Sequence, residues 1–203
     1  MSKLTVLSNV TLDGVMQAPA RPDEDPRGGF SYGGWALPYQ DAVLAERMAQ
    51  GMARDRAPGR GLLLGRRTYQ DFYRVWPARA GNPYTEVLNS TRKYVVSSTL
   101  AEPLPWQNST LLTGDAVQAV ARLKQRPDQD LMILGSGALI RSLLPHQLID
   151  EFMLLIHPLV LGTGHRLFPA GTAATLRLAD SVTTTTGVLI ATFQAAGPVP
   201  SAG

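Results

Sequence analysis

Short aliphatic runs alternate with amphipathic stretches along the chain, and three of these runs stop abruptly at small, hydroxyl or basic residues. The runs are Leu62–Leu64 before Gly65–Thr68, Tyr94–Val96 before Ser97–Thr99, and Leu131–Leu134 before Gly135–Ala138. Such runs are typical of buried parallel strands, and a helix that begins just after a strand points unpaired N–H groups at the strand end. We therefore expect three strand ends along one sheet edge, where they could bind an extended phosphorylated ligand, commonly a dinucleotide.

The remaining pattern predicts further strands and helices in alternation. Strands are predicted over residues 4–10, 111–112, 149–156, 175–183 and 187–194, and helices over 41–54, 68–75, 84–88, 138–144 and after the N-cap residue Asp115. The last two strands form a hairpin, so antiparallel strands are expected beside a largely parallel sheet. Residues 13–34 are rich in Gly, Pro and acidic residues and show neither helical nor strand periodicity. A loop of that length is usually functional.

The composition and charge of the chain exclude several classes of function. With 203 residues and 44% hydrophobic content, the chain is expected to form one domain over 1–196, followed by a disordered tail over 197–203. A net charge of +3, with no run of more than two basic residues, argues against a nucleic-acid partner. Cysteine is absent, which excludes disulfides and thiolate metal sites, and no metal is expected. The start lacks a secretion signal and the longest apolar stretch, 152–161, is too short to span a bilayer, so a cytoplasmic protein without a membrane partner is expected.

Five segments occur in an order that points to a family: Thr11–Gly14, Gly65–Tyr69, Lys93–Ser97, Leu134–Gly137, and Ile149–Glu151 with His157–Gly162. Together they resemble the dihydrofolate reductase-like superfamily over residues 4–193, most closely its riboflavin-biosynthesis reductase branch. The resemblance implies a three-layer α/β fold with a mostly parallel central sheet and C-terminal antiparallel strands. It also implies an NADPH-dependent reductase of a pyrimidine or pterin-like heterocycle, similar to 5-amino-6-(5-phosphoribosylamino)uracil reductase.

The same resemblance assigns a cofactor role to the three strand ends. It places the adenosine-side phosphates on Gly65, Arg66, Arg67 and Thr68, the 2′-phosphate or adenosine on Ser97 and Ser98, and the pyrophosphate on Gly135, Ser136, Gly137 and Ala138. Arginine binds phosphate with two parallel hydrogen bonds, and glycine lets the backbone approach a ligand closely. Ile140 replaces the third glycine of Gly-x-Gly-x-x-Gly, so a standard Rossmann domain is not expected. Taken alone, Gly65–Arg66 could be only a helix entry, and Ser97–Thr99 only a turn.

Four residues are candidates for the substrate side. By resemblance, Asp13 or Asp41 orients or helps to protonate the substrate, and Trp35 and Glu151 contact it. For Asp13 the alternative is a tight turn, and for Asp41 it is a helix first turn, where an acid stabilises the dipole. Compared with true dihydrofolate reductases, one extra residue separates Trp35 from Asp41. Such a shift turns a helical side chain by about 100°. Glu151 could equally be a solvated carboxylate at a strand end.

Some alternatives stay open. His157 has no second histidine or acid at ligand spacing, which favours a packing role. A reductase of the same fold could instead act on dihydrofolate, another pterin or a carbonyl compound, and a protein that binds NADP(H) without turnover would keep the same cofactor residues. The aliphatic segments 152–156 and 159–161 exceed what one sheet face must hide, so a homodimer is expected in addition to a small-molecule substrate.

Overall fold

The aliphatic runs of the sequence form one sheet. A computed structural model describes residues 2–55, 59–79, 81–127 and 129–197. Within them the strands are β1 (Leu4–Thr11), β2 (Arg60–Gly65), β3 (Arg92–Val96), β4 (Ser109–Leu112), β5 (Asp130–Leu134), β6 (Glu151–His157), β7 (Leu176–Thr183) and β8 (Leu189–Ala195). Their spatial order is β4-β3-β2-β5-β1-β6-β8-β7. Strands β1 to β6 pair in parallel, and β8 runs antiparallel to β6 and β7, as the sequence predicts.

Helices cover both faces of this sheet. They are α1 (Ala42–Asp55), α2 (Arg66–Val75), α3 (Pro83–Ser90), α4 (Ala116–Lys124) and α5 (Gly137–Leu143). Strand β2 shows the two-sided burial, because Leu63 packs in the cluster that contains α4 and α5 residues, whereas Leu62 and Leu64 pack with Tyr69 of α2 and Leu88 of α3. The arrangement is therefore three-layered. No helix in the described part of the chain is both long and apolar enough to cross a membrane.

Element boundaries differ from the sequence prediction where a backbone or side-chain contact decides them. Helix α2 begins at Arg66, two residues before the predicted start, because Gly65 has extended backbone angles and connects β2 directly to the helix. Strand β6 begins at Glu151 instead of residue 149, and the Asp150 carboxylate accepts a hydrogen bond from the backbone N–H of Leu4 at 2.6 Å. The predicted N-cap is confirmed, since the Asp115 side chain accepts from the N–H of Gln118 at 2.8 Å. Residues 198–203 of the predicted tail and the predicted end of α1 at Pro58 lie outside the described residues.

The long segment 13–34 packs as a structured loop. Val15, Ala18 and Phe30 are buried in a small cluster with Trp35 and Ala36. At Gly33 a side chain would have no room, because a Cβ atom there would lie 2.4 Å from the carbonyl oxygen of Pro22. The loop therefore has its own apolar core, and it lies against the edge of the sheet where the parallel strands end.

Candidate active site

The carboxyl ends of β2, β3 and β5 open into a cleft with a volume of about 1040 Å³. Register brings these ends level, because Gly65 of β2 lies beside Val96 of β3 and Leu62 of β2 lies beside Met132 of β5. The cleft is lined by all ten residues that the sequence assigns to the cofactor: Gly65, Arg66, Arg67, Thr68, Ser97, Ser98, Gly135, Ser136, Gly137 and Ala138. Three separate segments of the sequence thus meet at one concave surface.

Two of the three strand ends are hydrogen-bonded to each other. The N–H of Gly65 donates to Ser136 Oγ at 3.1 Å, and the N–H of Ser136 donates to Thr68 Oγ1 at 3.1 Å. Ser136 holds a left-handed backbone conformation with φ of 54°, which turns the chain from β5 into α5. These residues are all predicted phosphate ligands, but the N–H groups of Gly65 and Ser136 hold the two loops together.

The first turn of α2 has the chemistry that a phosphate group requires. No side chain caps this helix, so its first N–H groups and its positive dipole end face the cleft. The Arg66 guanidinium donates only a 3.3 Å bond to Gln70 Oε1, and the Arg67 side chain has no partner among the residues that the structure describes. Two guanidinium groups are thus available to an anion, and these residues fit the phosphates of a nicotinamide dinucleotide.

The glycine that begins α5 keeps the backbone close to the cleft. A Cβ atom at Gly137 would lie 2.8 Å from Met16 Sδ and 3.0 Å from Arg141 Nη1, and both of these residues line the cleft. Gly137 therefore allows Met16, from the segment after β1, to pack directly on the third strand end.

Ser97 and Ser98 line the cleft at the end of β3, but Ser97 also shapes the turn there. Its Oγ atom accepts hydrogen bonds from the N–H groups of Thr99 at 3.1 Å and Leu100 at 3.0 Å. The turn that the sequence leaves open as an alternative is thus present. Ser98 is exposed and makes the second hydroxyl group of this part of the cleft.

Other residues that line the cleft are apolar and aromatic. They include Leu7, Met48, Phe72, Trp76 and Tyr84. The rings of Trp76 and Tyr84 meet edge to face with centroids 4.8 Å apart, and those of Phe72 and Trp76 do so at 6.4 Å. Such a wall can pack against a flat heterocycle.

A charged rim joins segment 13–34 to α2. Arg21 Nη2 lies 2.7 Å from Asp71 Oδ1, and both residues line the cleft. Glu24 accepts hydrogen bonds from the N–H groups of Ala20 at 2.7 Å and Arg21 at 3.2 Å, while burial raises the pKa of its carboxyl group. Arg27 pairs with Asp25 on the same rim.

Asp13 is placed outside the cleft and holds together two loops. Its carboxylate accepts hydrogen bonds from Thr11 Oγ1 at 2.5 Å and from the N–H groups of Leu161 at 3.2 Å and Gly162 at 2.9 Å, with Arg166 Nη2 at 3.5 Å. Burial alone would raise the pKa of Asp13, but these hydrogen bonds lower it to about 2. A carboxylate that is so strongly held in its ionised form is a poor proton donor, so this placement favours the alternative of a turn contact, and the substrate-side role of Asp13 stays a prediction.

Asp41 also lies outside the cleft, and it caps α1. Its Oδ1 accepts from the N–H of Leu44 at 2.8 Å, and its Oδ2 accepts from both the N–H and the hydroxyl of Thr185 at 2.6 Å. The hydrogen bond from the Thr185 side chain, followed by that from the Leu44 backbone, lowers the pKa of Asp41 to about 2. Asp41 thus lies just before the first turn of α1, close to the helix position that the alternative describes, and its catalytic role stays a prediction.

The two predicted substrate contacts have other surroundings. The indole Nε1 of Trp35 donates to the carbonyl of Gln17 at 2.7 Å, and its ring packs edge to face on His157. Glu151 begins β6 at the amino end of the sheet, where it pairs with Lys3 Nζ at 2.7 Å. The cleft lies at the carboxyl end, so direct contact of Glu151 with a ligand there is not consistent with its position.

Sequence reasoning missed several residues that line the cleft. Phe72 lies on α2 and Trp76 directly follows its last residue, and Met48 lies on the face of α1 that its apolar spacing marks as core. Asn9 lies close to the carboxyl end of β1, where Ser8 and Thr11 are polar as well. The strand pattern therefore contains no signal that singles out Asn9.

The sheet order, the three layers and the cleft at the carboxyl ends of the strands define a dihydrofolate reductase-like α/β protein. The chain belongs to the family described as the RibD C-terminal domain, whose model matches residues 2–190. The recognition of the riboflavin-biosynthesis reductase branch from sequence is thus confirmed.

Relatives with curated sequences carry no assigned activity. The chain is 34% identical over 113 residues to uncharacterized protein YyaP of Bacillus subtilis (strain 168), over 53% of this chain and 58% of YyaP. It is 34% identical over 62 residues to uncharacterized protein YwjB of the same strain, over 30% of this chain and 36% of YwjB. The matched region thus spans between about a third and three fifths of these relatives.

Solved structures show the same fold at low sequence identity. A "Putative riboflavin biosynthesis protein" from Shewanella sp. PV-4 has a TM-score of 0.63 at 21% identity, over 96% of this chain and 99% of that one. A pyrimidine reductase-like protein from Corynebacterium diphtheriae has a TM-score of 0.60 at 12% identity, over 97% and 92% of the two chains. Both similarities extend over nearly the whole chain.

Proposed function

We propose that this protein is an NADPH-dependent reductase of a pyrimidine or pterin-like heterocycle, similar to 5-amino-6-(5-phosphoribosylamino)uracil reductase. One observation carries the proposal: the ten residues assigned to the cofactor line a single cleft, which aromatic and apolar side chains also line. Membership in a reductase family, and the name of the pyrimidine reductase-like neighbour, support the class of reaction.

The proposed preference for NADPH over NADH rests on two arginine side chains at the start of α2. Arg66 and Arg67 are the guanidinium groups beside the end of β2, and neither has a carboxylate partner among the described residues. Arginine binds phosphate more tightly than it binds a ribose hydroxyl because the bond is charge-assisted and bidentate. The 2′-phosphate of NADPH therefore adds an interaction that NADH lacks.

When bound, the cofactor supplies the hydride, and the chain's own residues bind and orient the two reactants. The residues at the three strand ends bind the phosphates and adenosine. The side chains of Phe72, Trp76 and Tyr84 pack on the heterocycle and exclude water from it. Segment 13–34 closes one side through the pair of Arg21 with Asp71.

A second candidate is a protein that binds NADP(H) without turnover. The observation that favours it is that Asp13 and Asp41 both lie outside the cleft, where their carboxylates serve loop and helix contacts. Acids that do line the cleft, such as Glu24 and Asp71, belong to the rim around segment 13–34.

Two measurements test the proposal. Isothermal titration with NADPH and NADH should show binding with a clear preference for NADPH. Loss of NADPH absorbance should then be followed with 5-amino-6-(5-phosphoribosylamino)uracil, dihydrofolate and a simple aldehyde in parallel. Turnover with the aminouracil supports the proposal. Turnover with dihydrofolate alone or the aldehyde alone would instead identify a pterin reductase or a carbonyl reductase of the same fold. Tight NADPH binding with no oxidation by any of the three favours the binding protein.

A further inference from the structure

Asn9 and His157 form a polar pair inside the sheet, at the border of the cleft. Asn9 lies near the carboxyl end of β1 and lines the cleft, and His157 ends the neighbouring strand β6. Because Asn9 is beside Leu155 and Thr11 is beside His157, the side chains of Asn9 and His157 point to the same face. His157 Nε2 lies 2.9 Å from Asn9 Oδ1.

The histidine is held rigidly and is uncharged. It has no exposed surface, and burial lowers the pKa of its imidazole to about 4. The rings of Trp35 and Tyr39 pack edge to face on the imidazole, with centroids 5.1 and 5.3 Å away. Trp35 is itself fixed by the hydrogen bond from its Nε1 to the carbonyl of Gln17. The imidazole therefore has little freedom to turn.

The hydrogen-bond partners of the imidazole indicate which nitrogen carries the proton. Nδ1 of His157 is buried without a partner in the described part of the structure. A neutral imidazole has one donor and one acceptor nitrogen, and a buried donor without a partner is costly. The arrangement with Nε2–H donating to Asn9 Oδ1 leaves only a lone pair unsatisfied at Nδ1. The carbonyl end of the Asn9 amide thus faces His157, and its NH₂ end is turned away.

That NH₂ group has two N–H donors and no acceptor among the residues described. Asn9 shares its face of β1 with Leu7, which packs against the cluster around Leu62 and Leu64 that Phe72 and Trp76 also contact. The amide therefore lines the same cleft as these apolar side chains and as the residues at the three strand ends.

We propose that Asn9 donates a hydrogen bond from Nδ2 to a carbonyl oxygen of the bound ligand, and that His157 is the positioning residue that fixes the orientation of this amide. The proposal rests on the proposed function, because both reactants offer such an oxygen. One source is a ring carbonyl of an aminouracil, and the other is the carboxamide of the nicotinamide. In both cases Asn9 would align the ligand at the point where the two reactants meet.

Asn9→Asp tests the contact with little change in shape. An aspartate keeps an oxygen that accepts from His157 Nε2, but it replaces the NH₂ donors with a second oxygen that repels a carbonyl. Binding of one ligand should weaken by about 10-fold or more. Asn108→Asp is the matched control, because Asn108 lies on an exposed turn where its side-chain amide bonds only to backbone carbonyls of Asn89 and Ser90.

Three probes separate the sources of the carbonyl oxygen: NADPH, 2′-phospho-ADP-ribose, which lacks the nicotinamide, and 5,6-diaminouracil in the presence of NADP⁺. Weaker binding of NADPH with unchanged 2′-phospho-ADP-ribose identifies the nicotinamide carboxamide. Weaker binding of the diaminouracil alone identifies the substrate. If Asn9→Asp binds all three as the parent does, the ligand contact is wrong while the proposed function stands.

His157 is tested by two variants and by a measurement on the parent protein. His157→Leu removes the donor and should show the same ligand-selective loss, whereas His157→Gln keeps a side-chain N–H and should restore much of the affinity. A residue that only supports the fold would lower stability in both variants without selecting between ligands. Nitrogen chemical shifts of the imidazole report the tautomer directly, and protonation at Nδ1 would overturn the assigned amide orientation.

Failure of the proposed function has a different signature. A parent protein that binds neither NADPH nor the diaminouracil contradicts the reductase and the ligand contact together. The tautomer of His157 still decides, in that case, whether the amide is oriented as inferred.

Discussion

Single residues at the first turn of α2 provide the sharpest prediction about the cofactor. Arg66→Ala should weaken NADPH binding by roughly 10- to 150-fold, because a charge-assisted hydrogen bond contributes about 1.5–3 kcal/mol. NADH binding should change much less, since it lacks the 2′-phosphate. Isothermal titration of both cofactors measures the two losses separately.

The matched control is Arg122→Ala, which removes an exposed arginine of α4 that does not line the cleft. This variant should bind NADPH as the parent does, apart from a small effect of net charge. Equal losses for NADPH and NADH in Arg66→Ala would move Arg66 from the 2′-phosphate to a phosphate that both cofactors share.

Asp13 illustrates a contact that stabilises the fold and depends on pH. Because its pKa is lowered from 3.8 to about 2 in the folded state, its contribution is fully present above about pH 4 and is lost as pH falls through about 2. After solvent screening, Asp13→Asn should reduce the free energy of unfolding by about 1 kcal/mol near neutral pH. Urea unfolding at about pH 7 and about pH 3 should show this difference shrinking at the lower pH.

Turnover distinguishes this structural role from the catalytic role that the sequence suggests. The Asp13→Asn variant should keep a kcat close to that of the parent. Asp41→Asn serves for comparison, because the Asp41 carboxylate of the parent also accepts hydrogen bonds from backbone N–H groups. A fall in kcat of about 10²-fold for Asp13→Asn with unchanged stability would restore Asp13 as the acid-base group.

At this scale the sequence reveals residues whose roles follow from local context. Gly65, Arg66 and Gly137 are found because they follow aliphatic runs directly. The partners of Asp13 at Leu161 and Gly162 are 148 and 149 residues away along the chain, and nothing near Asp13 indicates them. The role of Asp13 therefore could not be decided before the two loops were seen together.

Segment 13–34 and helix α2 are coupled as elements through Arg21 and Asp71. This pair is partly buried, and Asp71 also lies 3.0 Å from Arg74. A double-mutant cycle with Arg21→Ala and Asp71→Ala should give a coupling energy of about 1 kcal/mol. Hydrogen exchange of amides in segment 13–34 should accelerate by about 5-fold in Arg21→Ala, because the loop opens more easily.

The control cycle uses Arg47 and Asp180, which join α1 to β7 at 3.0 Å away from the cleft. That pair is more exposed, so its coupling should stay below about 0.5 kcal/mol and exchange in segment 13–34 should not change. A coupling of zero for Arg21 and Asp71 would show that the loop is held by its apolar cluster alone.

Elements are predicted well where the pattern is periodic and less well where contacts set the boundary. The strands and helices around the three strand ends follow from alternating aliphatic and amphipathic stretches. The start of α2 differs because glycine at its N-cap requires no separate turn. The apolar core of segment 13–34 has no periodic signal, since Val15, Phe30 and Trp35 come together only through irregular turns.

On the scale of the whole molecule, burial corrects the reason given for a homodimer. Phe152, Leu154 and Leu155 of β6 are 2–5% exposed, because β6 lies inside the sheet between β1 and β8 with helices on both faces. The aliphatic excess of segment 152–156 is thus largely hidden within the chain, whereas Val160 in segment 159–161 is 66% exposed. The sequence could not reveal this, because it does not show that β8 inserts between β6 and β7.

We expect the homodimer to form through a different surface, the edge strand β7. Most of its residues are exposed, Leu178 is 52% exposed, and no strand in the described part of the chain pairs with its outer side. An exposed, partly apolar edge can pair with the same edge of a second copy.

Light scattering at about 10 μM protein should give a dimer mass, and Leu178→Lys should give a monomer because a charged edge resists pairing. Leu12→Lys, at a loop residue that is 65% exposed, should remain dimeric. A monomeric parent at that concentration would contradict pairing through β7 and would leave the cleft unaffected, because β7 does not line it.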